Sequence, residues 1–105
     1  MITLIFSIDR ETFRVEIKDK EIYYLDRKMI RAVRLVPVDP KLNKRIIMSR
    51  NKLPEWIKMF YYMTEEEKKE YENCKTEEEL SKVCVKDCES NGARLLKKEV
   101  ENVQT

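Results

Sequence analysis

The first 25 residues alternate between apolar and polar positions. Ile2, Leu4, Phe6 and Ile8 are separated by Thr3, Ile5 and Ser7, and Phe13, Val15 and Ile17 by Arg14 and Glu16. A period of two sends successive side chains to opposite faces, so each run predicts a strand with one wet face. Asp9-Arg10 breaks the alternation, and Asp19-Lys20 offers a tight turn without the glycine that usually supplies positive φ. Glu21 to Leu25 returns as a third strand and completes a β-meander.

Residues 27–50 support two readings. Met29, Ile30, Val33 and Val36 fit one helical stripe, yet the run around them is rich in β-branched residues and contains Pro37. Proline lacks the N–H that a helix interior or a central strand must donate, so an edge strand is expected. Arg45 to Ser49 then pairs back as a further strand, closing a hairpin around a 37–44 loop. The rival arrangement makes Asp39 an N-cap and Pro40 the first residue of a helix. The hairpin is preferred.

From Pro54 the period becomes helical. Trp56, Ile57, Phe60 and Tyr61 recur at helical spacing, and Leu80, Val83 and Cys84 extend a second stripe. Thr64-Glu65-Glu66-Glu67 and Thr76-Glu77-Glu78-Glu79 each match the capping box, in which threonine and glutamate satisfy orphan backbone N–H groups reciprocally. Asn91-Gly92 supplies a stop or a kink, and Ala93 to Val103 reads as a last helix on Leu95, Leu96, Val100 and Val103. The expectation is one α+β domain over 1–105, mainly β in 1–50 and mainly α in 53–103. An N-terminal antiparallel sheet of three to five strands is followed by three or four helices packed on one face.

Composition narrows the function classes. No apolar run approaches the roughly 18–20 residues of a membrane span. The start lacks the basic residues and cleavage site of a secretory signal, so an intracellular protein is expected. With no histidine and one glycine, the commonest general base and the phosphate-cradling loops are both missing. Charged residues make up 40% of the chain, weighted to lysine and glutamate, a bias suited to ion-pair networks at high temperature. In composition alone, with no motif behind it, the chain resembles small orphan proteins of hyperthermophilic archaea and their viruses. That resemblance implies thermostability and, for a viral protein, the host cytoplasm.

Charge is segregated along the chain. Residues 26 to 58 hold ten Lys/Arg against three Asp/Glu, while 64–105 hold eight basic against twelve acidic groups. Arg27, Lys28, Arg31, Arg34, Lys41, Lys44, Arg45, Arg50 and Lys52 are the candidate phosphate contacts, with Tyr23, Tyr24 and Trp56 as stacking surfaces for unpaired bases. The bland alternative pairs these cations with the acidic C-terminal helices. The leading expectation is a non-enzymatic nucleic-acid-binding protein. The runner-up is an inhibitor or adaptor that meets an acidic protein surface, such as a viral factor acting on a host defence or replication protein.

Three further features carry chemistry or contacts. In Trp56 to Met63 seven of eight positions are apolar or aromatic, more than one helical stripe needs. Core burial explains this, and a homodimer through Trp56, Met59, Phe60, Tyr62 and Met63 is the alternative. Cys74, Cys84 and Cys88 are disulfide candidates, with Cys74 bridging to either of the others in preference to the i,i+4 pair. Asp9, Glu11, Glu16 and Asp26 lack any spacing that marks a divalent-ion site, so no catalytic residue, metal or cofactor is expected.

Overall fold

The computed structural model describes residues 1–25, 32–41 and 55–101. Strands β1 (Ile2–Ile8), β2 (Glu11–Lys18) and β3 (Glu21–Leu25) form the expected meander. Leu4 opposes Val15 and Phe6 opposes Phe13, while Val15 and Ile17 oppose Tyr24 and Ile22. The alternation therefore gathers these apolar side chains on one face. The missing turn glycines are replaced at a cost: Asp9 (φ 48), Arg10 (φ 68) and Asp19 (φ 57) all adopt positive φ. A short aspartate side chain tolerates that region, but Arg10 carries the full steric cost of its Cβ.

β4 (Ala32–Val36) pairs with β3 and is the outermost strand on that side among the described residues, ending at a cis Val36–Pro37 peptide. The preferred reading of this stretch as a strand holds. Its partner strand over Arg45 to Ser49 lies outside the described residues.

The helices begin as their caps require. A 3-10 turn (Glu55–Ile57) leads into α1 (Lys58–Tyr61), followed by α2 (Glu65–Glu72) and α3 (Glu77–Ser90). At α2 the box is complete: the Glu67 N–H donates to Thr64 Oγ1 at 3.2 Å, and the Thr64 N–H to Glu67 Oε1 at 3.3 Å. At α3 the Glu79 N–H donates to Thr76 Oγ1 at 3.1 Å, but Glu79 Oε2 accepts from the Lys75 N–H at 2.8 Å instead of closing the box.

The C-terminus departs from expectation. Residues read as a helix over Ala93 to Val103 form strand β5 (Arg94–Val100), paired antiparallel with β1. Gly92, at φ 91, ends α3 in a Schellman motif: its N–H donates to the Glu89 carbonyl at 3.1 Å and the Ala93 N–H to the Cys88 carbonyl at 3.0 Å. That reversal delivers the chain to β1, whose free edge would otherwise present unpaired backbone groups. Helix-compatible spacing in Leu95, Leu96 and Val100 loses to long-range pairing. The strand order is β4-β3-β2-β1-β5, and the helical half stops at Ser90.

Ile57, Phe60, Tyr71, Leu80, Cys84 and Cys88 are buried against the sheet's apolar face, so the helices cover that face. An aromatic seam joins the layers. Trp56 stacks on Phe13 at 4.0 Å and meets Tyr24 and Phe60 edge-on at 5.8 and 6.0 Å. This corrects the dimer expectation for Phe60, which is fully buried within one chain and has no surface left for a second subunit. Trp56, Met59 and Met63 are half-buried against the same core, and of the five only Tyr62 is exposed, at 70%.

Replacing Arg10 by glycine should relieve the turn. Arg10→Gly is expected to stabilise the fold by about 1 kcal/mol, read from chemical denaturation. An unchanged or lower stability would show that Arg10 carries no such strain.

Candidate nucleic-acid interface

The face of the sheet opposite the core carries no described helix. Register sets Arg34, Tyr23, Glu16, Thr3 and Glu99 across one row, and Leu25, Arg14, Ile5 and Lys97 across the next. Lys18 and Arg94 share this face through their pairing with Glu21 and Ser7. The face thus holds five cations against three carboxylates, Glu16, Glu21 and Glu99. On the opposite side α2 and α3 together carry ten carboxylates against four lysines. The segregation seen along the chain becomes a segregation between two layers.

Of the nine expected phosphate contacts, the described residues include Arg34 and Lys41. Arg27, Lys28, Arg31, Lys44, Arg45, Arg50 and Lys52 lie outside them. Arg34 projects from the open face, where its guanidinium lies 3.7 Å from Glu21 and its Nε donates to the Pro37 carbonyl at 2.9 Å. Lys41 is exposed in the turn after β4, its N–H bound to Asp39 Oδ1 at 2.9 Å. Leu25 and Ala32, which bracket 26–31, are cross-strand partners at the end of the sheet where Arg14 also pairs with Leu25. Sequence reading missed Arg14, Lys18, Arg94 and Lys97. They come from two strands distant in the chain, β2 and β5, and only the register brings them together.

The aromatic expectation divides. Tyr24 is buried on the core face and Trp56 belongs to the aromatic seam, so neither offers a free ring face. Tyr23 stands half-buried on the open face, where its hydroxyl donates to Glu21, whose acceptance of the bond raises the phenol's pKa.

Local pairing tempers the field without cancelling it. Arg14 Nε lies 3.7 Å from Glu16, and Lys97 binds Glu99 at 2.9 Å, holding that carboxyl below its usual range. Exposed pairs of this kind are worth between about 0 and 1 kcal/mol, so a phosphate competes with them readily. Described ion pairs of the helix carboxylates go to the Met1 amino group, Lys68, Lys86 and Lys98.

The remaining candidates do not assemble a reactive centre among the described residues. Asp9 and Glu11 stand at the β1–β2 turn, Glu16 stands mid-sheet, and Asp26 lies outside the described chain. All three cysteines are free and buried. The Cys74 thiol donates to the Glu70 carbonyl at 3.1 Å, one turn back, and burial raises its pKa. Cys84 is hydrogen-bonded to Cys88, which together with burial pushes the Cys84 thiol well up. The thiols that meet are the i,i+4 pair, while Cys74, just past the end of α2, bonds back to that helix. Close by, the Tyr71 hydroxyl donates to Asp87 at 2.6 Å. Burial raises both groups, and Glu70 and Glu67 push Asp87 further up against the lowering effect of the Tyr71 bond.

Two measurements follow from these buried groups. Thiol titration should find three reactive thiols after denaturation and slow reaction before it, whereas one thiol would reveal a bridge. Asp87 ionises less readily folded than unfolded, so its contribution to stability is complete at low pH and lost as pH rises through the raised value. Asp87→Asn should therefore raise the melting temperature near pH 7 and match the parent near pH 3, below the usual aspartate range. Equal melting temperatures at both pH values would refute the shift.

No family model, curated protein or solved structure matches this chain.

Proposed function

We propose that this is a non-enzymatic nucleic-acid-binding protein. Its interface combines the basic 27–52 segment with the open face of the sheet. The observation that carries this reading is the division of charge between layers. Helices with a six-charge negative excess cover one side, and Arg14, Lys18, Arg34, Arg94 and Lys97 stand on the other. A polyanion approaching such a molecule meets the cationic layer first, and each neutralised phosphate releases condensed counterions. Arg34 and Lys41 would contact phosphates, and Tyr23 would offer an edge or face to an unpaired base. Among the described residues no helix is long and apolar enough to cross a membrane.

One observation favours the alternative, an inhibitor or adaptor docking on an acidic protein surface. Arg14, Arg34 and Lys97 each already lie beside a carboxylate. Fixed, pre-paired cations suit a partner with its own fixed carboxylates better than a mobile phosphate chain.

Mobility shift with mixed-sequence DNA and RNA separates the two. Micromolar binding that weakens steeply with salt is expected, and Lys18→Glu with Arg34→Glu should weaken it by about tenfold or more. Absence of binding at low salt would remove the nucleic-acid reading and leave the acidic protein partner.

A further inference from the structure

Among the described residues β5 is an edge strand, with β1 on one side and no strand on the other. It also carries two of the three exposed large apolar side chains among the described residues, Leu96 (51%) and Val100 (53%). Exposed edges are usually guarded by lysine, and β5 has Lys97 and Lys98. Neither stands as a lone charge. Lys98 is bound to Glu78 of α3, and Lys97 to Glu99 on its own strand. The guard is neutralised while the apolar groups remain.

We infer that β5 pairs with β5 of a second copy of this chain, joining the two described five-stranded sheets edge to edge. Two antiparallel neighbours related by a two-fold axis normal to the sheet keep their layers aligned only when one residue lies on the axis. β5 runs regularly against β1 from Lys97 to Val100, beyond the bulge between Leu95 and Lys97. That stretch offers four axis positions, of which Val100 sets Glu99 against the partner's Glu101. Lys97 on the axis sets open-face lysines against each other, and Glu99 does the same with glutamates. With Lys98 on the axis, Lys97 faces Glu99 of the partner subunit twice, and Leu96 faces the partner's Val100 twice.

That register leaves like charge only at Lys98, where each ammonium is held by Glu78 of its own helix. The open-face pairs are opposite in sign, and the core-side pairs are apolar. The complementarity of Lys97 with Glu99 and of Leu96 with Val100 is what selects a second copy over a foreign strand. Lys97 and Glu99 also stand on the open face proposed for nucleic acid, so the dimer is read from oligomeric state and not from nucleic-acid binding.

Size-exclusion chromatography with light scattering over a concentration series tests this. The parent chain is expected to reach a dimer, and Lys97→Glu should raise the dimer dissociation constant about tenfold or more by setting acid against acid. Lys97→Glu combined with Glu99→Lys should restore dimerisation, because the swap regenerates both pairs. Both residues are surface groups, so circular dichroism should confirm an unchanged fold in each variant. A monomer at every concentration overturns the proposal. So does a dimer that Lys97→Glu leaves intact, or a swap that fails to rescue.

Discussion

The structure depends on β1 having two neighbours drawn from opposite ends of the chain. β2 reaches it through a two-residue turn, but β5 arrives after more than eighty residues and every helix. Until β5 docks, β1 is an edge and the apolar face above it is only partly framed. Glu77, the first residue of α3, helps fix that geometry. It accepts from the Asp19 N–H at 3.1 Å and lies 3.1 Å from the Met1 amino group. One carboxylate thus ties the helix start to the β2–β3 turn and to the beginning of β1. Closing so long a loop costs entropy before its contacts repay it, which predisposes such a topology to slow folding.

Burying one face of the sheet also settles where charge can go. Leu80, Cys84 and Cys88 must point at the strands, so the glutamates and aspartate of α3 are left to the outside or the flanks of the helical layer. On the strands, core positions fill every second residue and the intervening arginines and lysines are turned to the other side. Two periodicities thus decide which positions of each layer are polar, and the residue chosen at each position decides the sign. The heptad-like stripe of the helices and the two-residue alternation of the strands each export polar residues in opposite directions.

Much of this was legible in the sequence because it is local. Alternation in Ile2 to Ile17 located the meander, Pro37 marked the end of β4, and the two Thr-Glu-Glu-Glu repeats located helix starts. What was not legible required partners remote in the chain. Leu95, Leu96 and Val100 satisfy a helical stripe about as well as a strand, and only the vacant edge of β1 decides between them. Trp56 and Phe60 read as an excess of apolar surface until Phe13 and Tyr24 are seen to enclose them. Arg14 and Lys97, each unremarkable within its strand, become members of one surface through Ile5, which pairs with both.

The pairing of Met1 with Glu101 has a mechanical consequence. The Met1 amino group donates to the Glu101 carbonyl at 3.2 Å, and the Glu101 N–H to the Met1 carbonyl at 2.9 Å. Force applied at these two points would pull β1 and β5 apart from one shared end. Their hydrogen bonds would be loaded one after another, as in a zipper, and not all together in shear. Traction applied at Met1 and Glu101 would therefore open the sheet at low force, whatever the strength of its core.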